Sequence, residues 1–224
     1  MILDRLEIIN EQFDADAVTP EQLDMLLADG WRHFGTHFFR YNLNVYKEEI
    51  VRVIPLRIRL ADFQLSKSQK RVLRKNGDLT VEFVPIQITA EIESLFHRHK
   101  RRFDHDIPDA IYDFLSPDAG NFPTVGFQIT ARDANDKLLA ASFFDVADES
   151  VSAIYGCFDP DDTSRSLGIF TMLKVIEFAS QNGKTFYYHG YAYDSESFYD
   201  YKKRFSGVEQ FDWKGDWSKK QLDC

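Results

Sequence analysis

The last hundred residues place the tightest limit on what this chain can become. Three β-rich runs, at about 124–132, 137–147 and 150–158, follow one another at meander spacing. They are parted by the turns Ala134-Asn135-Asp136 and Asp148-Glu149. A longer segment from Ser164 to Asn182 then predicts a helix, with Leu167, Phe170, Leu173, Ile176 and Phe178 mostly on one side and Gly183 as its stop. A strand at 184–191, a helix at about 195–205 and a strand near 207–213 complete the order. The pattern predicts an α/β fold. There is no internal repeat, low-complexity segment or Gly/Ser linker.

The first half is read from its caps. Thr19-Pro20-Glu21-Gln22 is a capping box with proline at the first helical position; Leu23, Leu26 and Leu27 form the apolar face, and Gly30 ends the helix. Residues 36–60 are rich in β-formers, as in Val51, Val53 and the IPLRIRL run, and predict one or two strands. Ser66 or Ser68 caps a basic helix ending at Asn76-Gly77, and residues 80–88 predict a strand that Pro85 assigns to an edge or a bulge. Thr89 caps a helix to about His99, 108–115 is a short helix, and 116–123 is a loop. The expected organisation is an N-terminal α+β extension over 1–79, which carries the basic helix, and an α/β domain over 80–224, together one compact unit.

Composition narrows the class. Of 224 residues, 15% are aromatic, enough to bury a sizeable core and to exclude a disordered chain. No apolar run approaches a membrane span, and MILDRLEIIN lacks the apolar block of a signal peptide. Two cysteines, Cys157 and Cys224, are too few for a disulfide scaffold or a cysteine-built metal site, so a reducing cytoplasm is the expected location. His97, His99 and His105 lack the partner acids of a metal cluster. The formal charge of −9 is uneven: residues 52–102 hold twelve bases and five acids, a local +7. Such a segment is either a solvated helix face or a surface for a phosphate backbone.

Five blocks together make the chain recognisable. DPDDTSRSLG (159–168), GWRHFG (30–35), KSQKRVLRKNGDL (67–79), HGY (189–191) and YKKRF (201–205) stand in the order found in the aminoacyl-tRNA–protein transferases, which this sequence resembles. That family comprises arginyltransferases and bacterial leucyltransferases of the N-degron pathway. The resemblance implies a fold similar to the GCN5-type N-acetyltransferases: a mixed sheet flanked by helices, here with an N-terminal extension. It also implies charged tRNA and a protein N-terminus as partners, with no cofactor, no metal and no membrane. One departure stands out. The family has N-terminal cysteines and a cysteine pair before its IPxRI-like strand; here that pair falls on Ile50 and Val53, which ligate neither a metal nor an iron–sulfur cluster.

Aminoacyl transfer asks for proximity, removal of a proton from an amine, and stabilisation of an oxyanion. Asp159 and Asp161 either orient the amine and accept its proton or make an Asx turn; Asp145 is a weaker choice of the same kind. Arg165, with the loop residues Ser166 and Gly168, either holds a phosphate or the tRNA ester at a helix N-terminus, or leaves Ser164 to cap and Arg165 in solvent. The resemblance adds Tyr191, within a run of aromatics over 186–205 of which part is packing and part is available to stack bases. Lys67, Lys70, Arg71, Arg74 and Lys75 share one helix face and form the expected tRNA surface, with Lys202 and Arg204 of YKKRF as further phosphate contacts. His189 is expected to be a hydrogen-bonded core residue, and Cys157 a small buried hydrophobe.

Two alternatives remain at this point. One is a coenzyme A-dependent N-acyltransferase of the same fold, against which Phe170 speaks by filling a position that a pyrophosphate loop keeps small. The other is a non-catalytic module that binds tRNA or peptide.

Overall fold

The computed structural model describes residues 7–104 and 107–219, which leaves His105 and Cys224 outside the described residues. The chain begins with β1 (Asn10–Asp14), α1 (Pro20–Ala28), β2 (Arg32–Phe34) and β3 (His37–Tyr41). These three strands form a small antiparallel sheet in the order β1-β3-β2. Next come β4 (Leu43–Tyr46), β5 (Glu49–Arg59), α2 (Lys67–Lys75), β6 (Thr80–Pro85) and α3 (Ala90–His99). The second half supplies β7 (Gly126–Arg132), β8 (Leu138–Val146), β9 (Ser150–Phe158), α4 (Leu167–Gln181), β10 (Phe186–Tyr193), β11 (Val208–Phe211) and β12 (Trp217–Lys219). The large sheet runs β12-β11-β5-β10-β9-β8-β7-β6, with β4 beside β5. All its neighbours are antiparallel except β9 and β10, which α4 connects. This is the mixed, helix-flanked acyltransferase-like sheet expected from the sequence.

The helix starts follow local chemistry. The Thr19 hydroxyl accepts from the Gln22 amide at 3.2 Å, and the Gln22 side chain accepts from the Thr19 amide at 2.9 Å. Ser66 and Gln69 repeat the device ahead of α2. Pro85 ends β6, the edge strand, where a missing donor costs no ladder bond.

Burial is two-sided. Phe144, Val151, Tyr187 and Leu56 pack with Leu173 and Ile176 of α4 on one face. Phe143 and Cys157 pack with Leu95 and Phe96 of α3 on the other. Leu23, Leu27 and Phe38 settle α1 and the small sheet against Tyr188 and Ala147. β5 lies between β11 and β10, so residues 1–79 and 80–224 share one sheet.

Several expectations are corrected. Residues 36–60 make three strands, because the chain turns at Asn42 and again at Lys47-Glu48, both of the latter with positive φ. The 108–115 helix is reduced to one 3-10 turn, Ile111–Asp113, and the helix at 195–205 is a 3-10 helix over Phe198–Arg204. Ser164 does not cap α4: its hydroxyl donates to Asp162, and the helix starts after Ser166, which takes a left-handed φ of 53°. Phe170 lies one turn after Leu167, buried on the core face beside Leu139 and Ala140. Its side chain is taken up by packing and no longer speaks against coenzyme A.

Candidate functional site

β9 and β10 are paired only over Ser150–Ser152 and Phe186–Tyr188, the first three residues of each strand. Beyond these rungs both carry a bulge. Ile154 is the extra residue of β9 opposite β8, where Phe144 faces Ala153 and Phe143 faces Tyr155. His189 is the extra residue of β10 opposite β5, where Tyr188 faces Arg57 and Gly190 faces Leu56. A bulge bends its strand and breaks the ladder. Two bulges within two residues of the last rung open the sheet into a fork.

Charged groups converge on this fork. Arg32, from β2, donates from Nη2 to the Ala153 carbonyl, the first residue of β9 past the last rung. Its Nη1 is buried with no hydrogen-bond partner. Burial pulls the guanidinium down, while Tyr191 and Asp145 oppose that shift. Lys202 reaches in from the 3-10 helix, and its Nζ donates to the Tyr191 carbonyl at 3.1 Å. Burial first, and the charge on Arg32 second, bring the Lys202 ammonium down to about 7. The same Nζ lies 2.9 Å from where a Cβ on Gly190 would stand; apart from its chain neighbours, nothing else comes within 4 Å of that point. Gly190 has a φ of +97°, a region that side chains disfavour.

His189 is 2% exposed. Its Nε2 donates to the Lys202 carbonyl at 3.1 Å, and its Nδ1 has no partner. Burial, with help from Lys202, takes it down to about 3, so the ring is neutral.

Beside Arg32, His33 faces the Gly35 carbonyl through Nδ1 at 2.8 Å and the Asp145 carboxylate through Nε2 at 2.9 Å. Both partners are acceptors, so both ring nitrogens donate and His33 is an imidazolium. Burial opposes that charge, but Asp145 and Gly35 outweigh it and raise the His33 pKa. Thr124 donates to the other Asp145 oxygen at 2.5 Å.

The sequence-expected residues fall in three places. Asp159, Asp161 and Arg165 line an open depression of about 320 Å³ past the C-terminal end of β9, together with Lys137 and Asp162. Asp159 accepts from Lys137 at 2.7 Å; burial would raise its carboxyl, and that bond with the Asp161 amide holds it below the usual range. Arg165 is gripped by Asp78 through two bonds, at 2.7 and 2.9 Å, and by Asp162 at 3.0 Å. Tyr191 is on β10, the other arm of the fork, where its hydroxyl donates to the Gly30 carbonyl at 2.6 Å. Gly168 lies where an added Cβ would come 3.1 Å from the Phe158 ring, so it sets how closely α4 meets β9.

The third place is α2. Lys67, Lys70, Arg71 and Arg74 are exposed and have no ion pair among the described residues, while Val72 and Leu73 pack inward. The end of α2 is tied to the loop before α4: Lys75 donates to the Ser164 carbonyl at 2.7 Å, and Asn76 to that of Arg165 at 2.9 Å. The C-terminal end of α2 therefore lies next to the Asp159 depression. Arg204 is exposed, but Lys202 is turned inward, away from it.

Arg32, His33 and the unpartnered His189 Nδ1 were not assigned chemistry from sequence. The available signal was Arg-His between two glycines in GWRHFG. Among the described residues, no group of three or more His, Cys, Asp or Glu stands ready to hold a metal, and no helix is long and apolar enough to cross a membrane. Val53, at one position of the family's cysteine pair, is buried with Val51 and Tyr193, whereas Ile50, at the other, is exposed.

Comparison with known proteins agrees with this architecture. The family described as arginine-tRNA-protein transferase, C terminus, matches residues 91–212, and the corresponding N terminus matches residues 4–71. A protein of Paramagnetospirillum magneticum named aspartate/glutamate leucyltransferase is 35% identical over 162 residues, covering 70% of this chain and 66% of that protein. One of the same name from Saccharophagus degradans is 30% identical over 188 residues, covering 81% and 76%. The chain thus spans about two thirds to three quarters of the length of these curated relatives. Among solved structures, FemX superposes with a TM-score of 0.52 at 13% identity, covering 88% of this chain and 70% of that one. L-PGS from Bacillus licheniformis gives 0.50 at 10%, covering 84% and 55%. These two share the fold.

Proposed function

The chain belongs to the arginine-tRNA-protein transferase family, and from that membership we propose that it moves leucine from leucyl-tRNA onto the α-amine of proteins that begin with Asp or Glu. The name carried by its curated relatives supports leucine as the donated residue and an acidic residue as the acceptor. The reaction belongs where charged tRNA is found, in the cytoplasm, and marks its product for the N-degron pathway.

One observation carries the choice of site: a lysine held at the fork over a glycine that leaves the space beside it open. The acceptor amine enters there and Lys202, neutral above about pH 7, takes its proton. The amine nitrogen attacks the ester carbonyl carbon, forming the new C–N bond. The C–O bond to the tRNA ribose then breaks, and the proton passes from Lys202 to the departing ribose oxygen. No other reactant is needed. The tRNA lies along Lys67, Lys70, Arg71 and Arg74, with Arg204 as a further contact, and its 3′ end passes the Asp159 depression toward the fork. Asp159, Asp161 and Arg165 hold the rim of that path in shape, and Tyr191 fixes the β10 arm to the Gly30 turn.

Purified protein, tRNA charged with labelled leucine or arginine, and peptides beginning with Asp, Glu, Lys or Ala test this reading. Label from leucyl-tRNA on the Asp and Glu peptides is expected. No transfer from either donor by folded protein would overturn it. Label from arginyl-tRNA alone would overturn the choice of leucine.

A further inference from the structure

Arg32 brings to the fork a buried donor that the fold leaves unfilled. Its Nη2 is taken by Ala153, and its Nη1 is buried without a partner. An arginine has five N–H donors in a planar fork and keeps its charge when buried, so an empty Nη1 inside a protein is a costly arrangement. The acid that faces it, Asp145, is held by His33 and Thr124. Arg32 makes no ion pair among the described residues. Lys202, the other basic group of the fork, is near enough to feel the Arg32 charge. A guanidinium with an open donor and no free carboxylate beside it forms a place for an anion.

Resting on the acceptor class proposed above, we infer that Arg32 reads the side-chain carboxylate of the acceptor's N-terminal Asp or Glu. In such a residue the α-amine and the carboxylate are a few bonds apart, so one residue presents the first to Lys202 and the second to Arg32. At Gly190 the end of the Lys202 side chain alone comes within 4 Å of the missing Cβ, apart from the chain neighbours, so the β10 arm leaves room there. A guanidinium donor distinguishes a carboxylate from an amide of the same shape by charge, which a neutral donor does not do.

A tRNA phosphate is the other anion within reach of the protein. It fits a buried donor poorly, because a phosphodiester continues into ribose and base on both sides, whereas a side-chain carboxylate is a chain end. Phosphates also have the exposed cations of α2 available to them.

The test is equilibrium binding of fluorescent peptides beginning with Asp, Asn or Ala to the full chain, without tRNA, for wild type, Arg32→Gln and Arg32→Lys. Wild type is expected to favour Asp over Asn by at least about tenfold, a charge-assisted bond against a neutral one. Arg32→Gln brings that ratio to about one with little effect on the Ala peptide, and Arg32→Lys leaves an intermediate ratio. Circular dichroism verifies folding; should Arg32→Gln fail to fold, the reduced ratio in Arg32→Lys decides. Filter binding of tRNA is run in parallel and is expected to be unchanged in both variants. An Asp/Asn ratio that Arg32→Gln leaves intact overturns the inference. So does an equal loss for all peptides, or a loss of tRNA affinity alone, which would assign the anion to phosphate. Because peptide binding is read without turnover, absent transfer counts against the reaction, whereas absent acid preference in wild type counts against Arg32.

Discussion

The Lys202 ammonium lies 2.9 Å from the point that a Cβ on Gly190 would occupy. The two residues are twelve positions apart, yet each constrains the other: a Cβ on residue 190 would crowd the ammonium, so Gly190 gives Lys202 its place. Gly190→Ala disturbs both sides of this relationship. At a φ of +97° the new side chain strains the backbone by roughly 1–2 kcal/mol, and it displaces the ammonium from the Tyr191 carbonyl. A thermal melt is expected to show a modest drop in midpoint, and a transfer assay at least about a tenfold loss in kcat with tRNA affinity unchanged. Full activity in the folded variant would remove Lys202 from the chemistry.

The exposed cations of α2 make a separate prediction. Each of Lys70→Ala, Arg71→Ala and Arg74→Ala is expected to weaken tRNA binding and to lower the salt slope of log K by about 0.7–0.9 if its residue meets a phosphate. Circular dichroism should be unaltered, since these side chains leave the packing to Val72 and Leu73. A salt slope unchanged in all three variants would move the tRNA to another face.

Acid stability follows from two histidines. Burial is the main cause that takes His99 down to about 4 and His189 down to about 3. In the unfolded chain each titrates near 6.5, so between that value and about 4 the unfolded state binds more protons. Their contribution is complete above about pH 6.5 and declines as pH falls. Urea midpoints should therefore drop steadily from about pH 6.5 to 4.5, and His99→Gln should flatten part of that slope. A flat wild-type profile would mean that both rings charge freely in the folded protein.

The His33–Asp145 pair runs the other way. With its folded pKa raised, His33 contributes fully below about pH 6.5, and the contribution is lost as pH rises through the folded value. Asp145 is fully buried, and Asp145→Ala leaves a buried imidazolium without its partner. A loss of about 3–5 kcal/mol is expected by urea unfolding near pH 6, and a smaller loss at pH 9. Equal losses at both values would mean that His33 does not change its charge between them.

What the sequence revealed was local. Thr19 with Gln22, and Ser66 with Gln69, satisfy orphan amides three residues away, so their helices could be read from the spacing alone. Leu167, Phe170 and Leu173 recur at helical spacing and all three are buried, although Phe170 was also read as crowding a pyrophosphate. The fork was not legible. Ile154 and His189 are bulges only with respect to the registers of β8 and β5, and no residue type announces a cross-strand register. Arg32 meets Ala153 across 121 positions. Lys202 was read as a phosphate contact from the YKKRF block; in the 3-10 helix its ammonium instead lies over Gly190 and donates to the Tyr191 carbonyl.

The most direct measurement is the single-turnover rate of leucine transfer from leucyl-tRNA to an Asp-initiated peptide, at saturating substrates, from about pH 5.5 to 9, for wild type and Lys202→Met. The wild-type rate should rise tenfold per pH unit and level off near pH 7, where Lys202 loses its proton. Lys202→Met should be slower by about a hundredfold or more, without that inflection and with tRNA binding intact. An equal rate in the folded variant, or the same inflection in both proteins, would contradict the assignment of the fork lysine as the group that takes the proton.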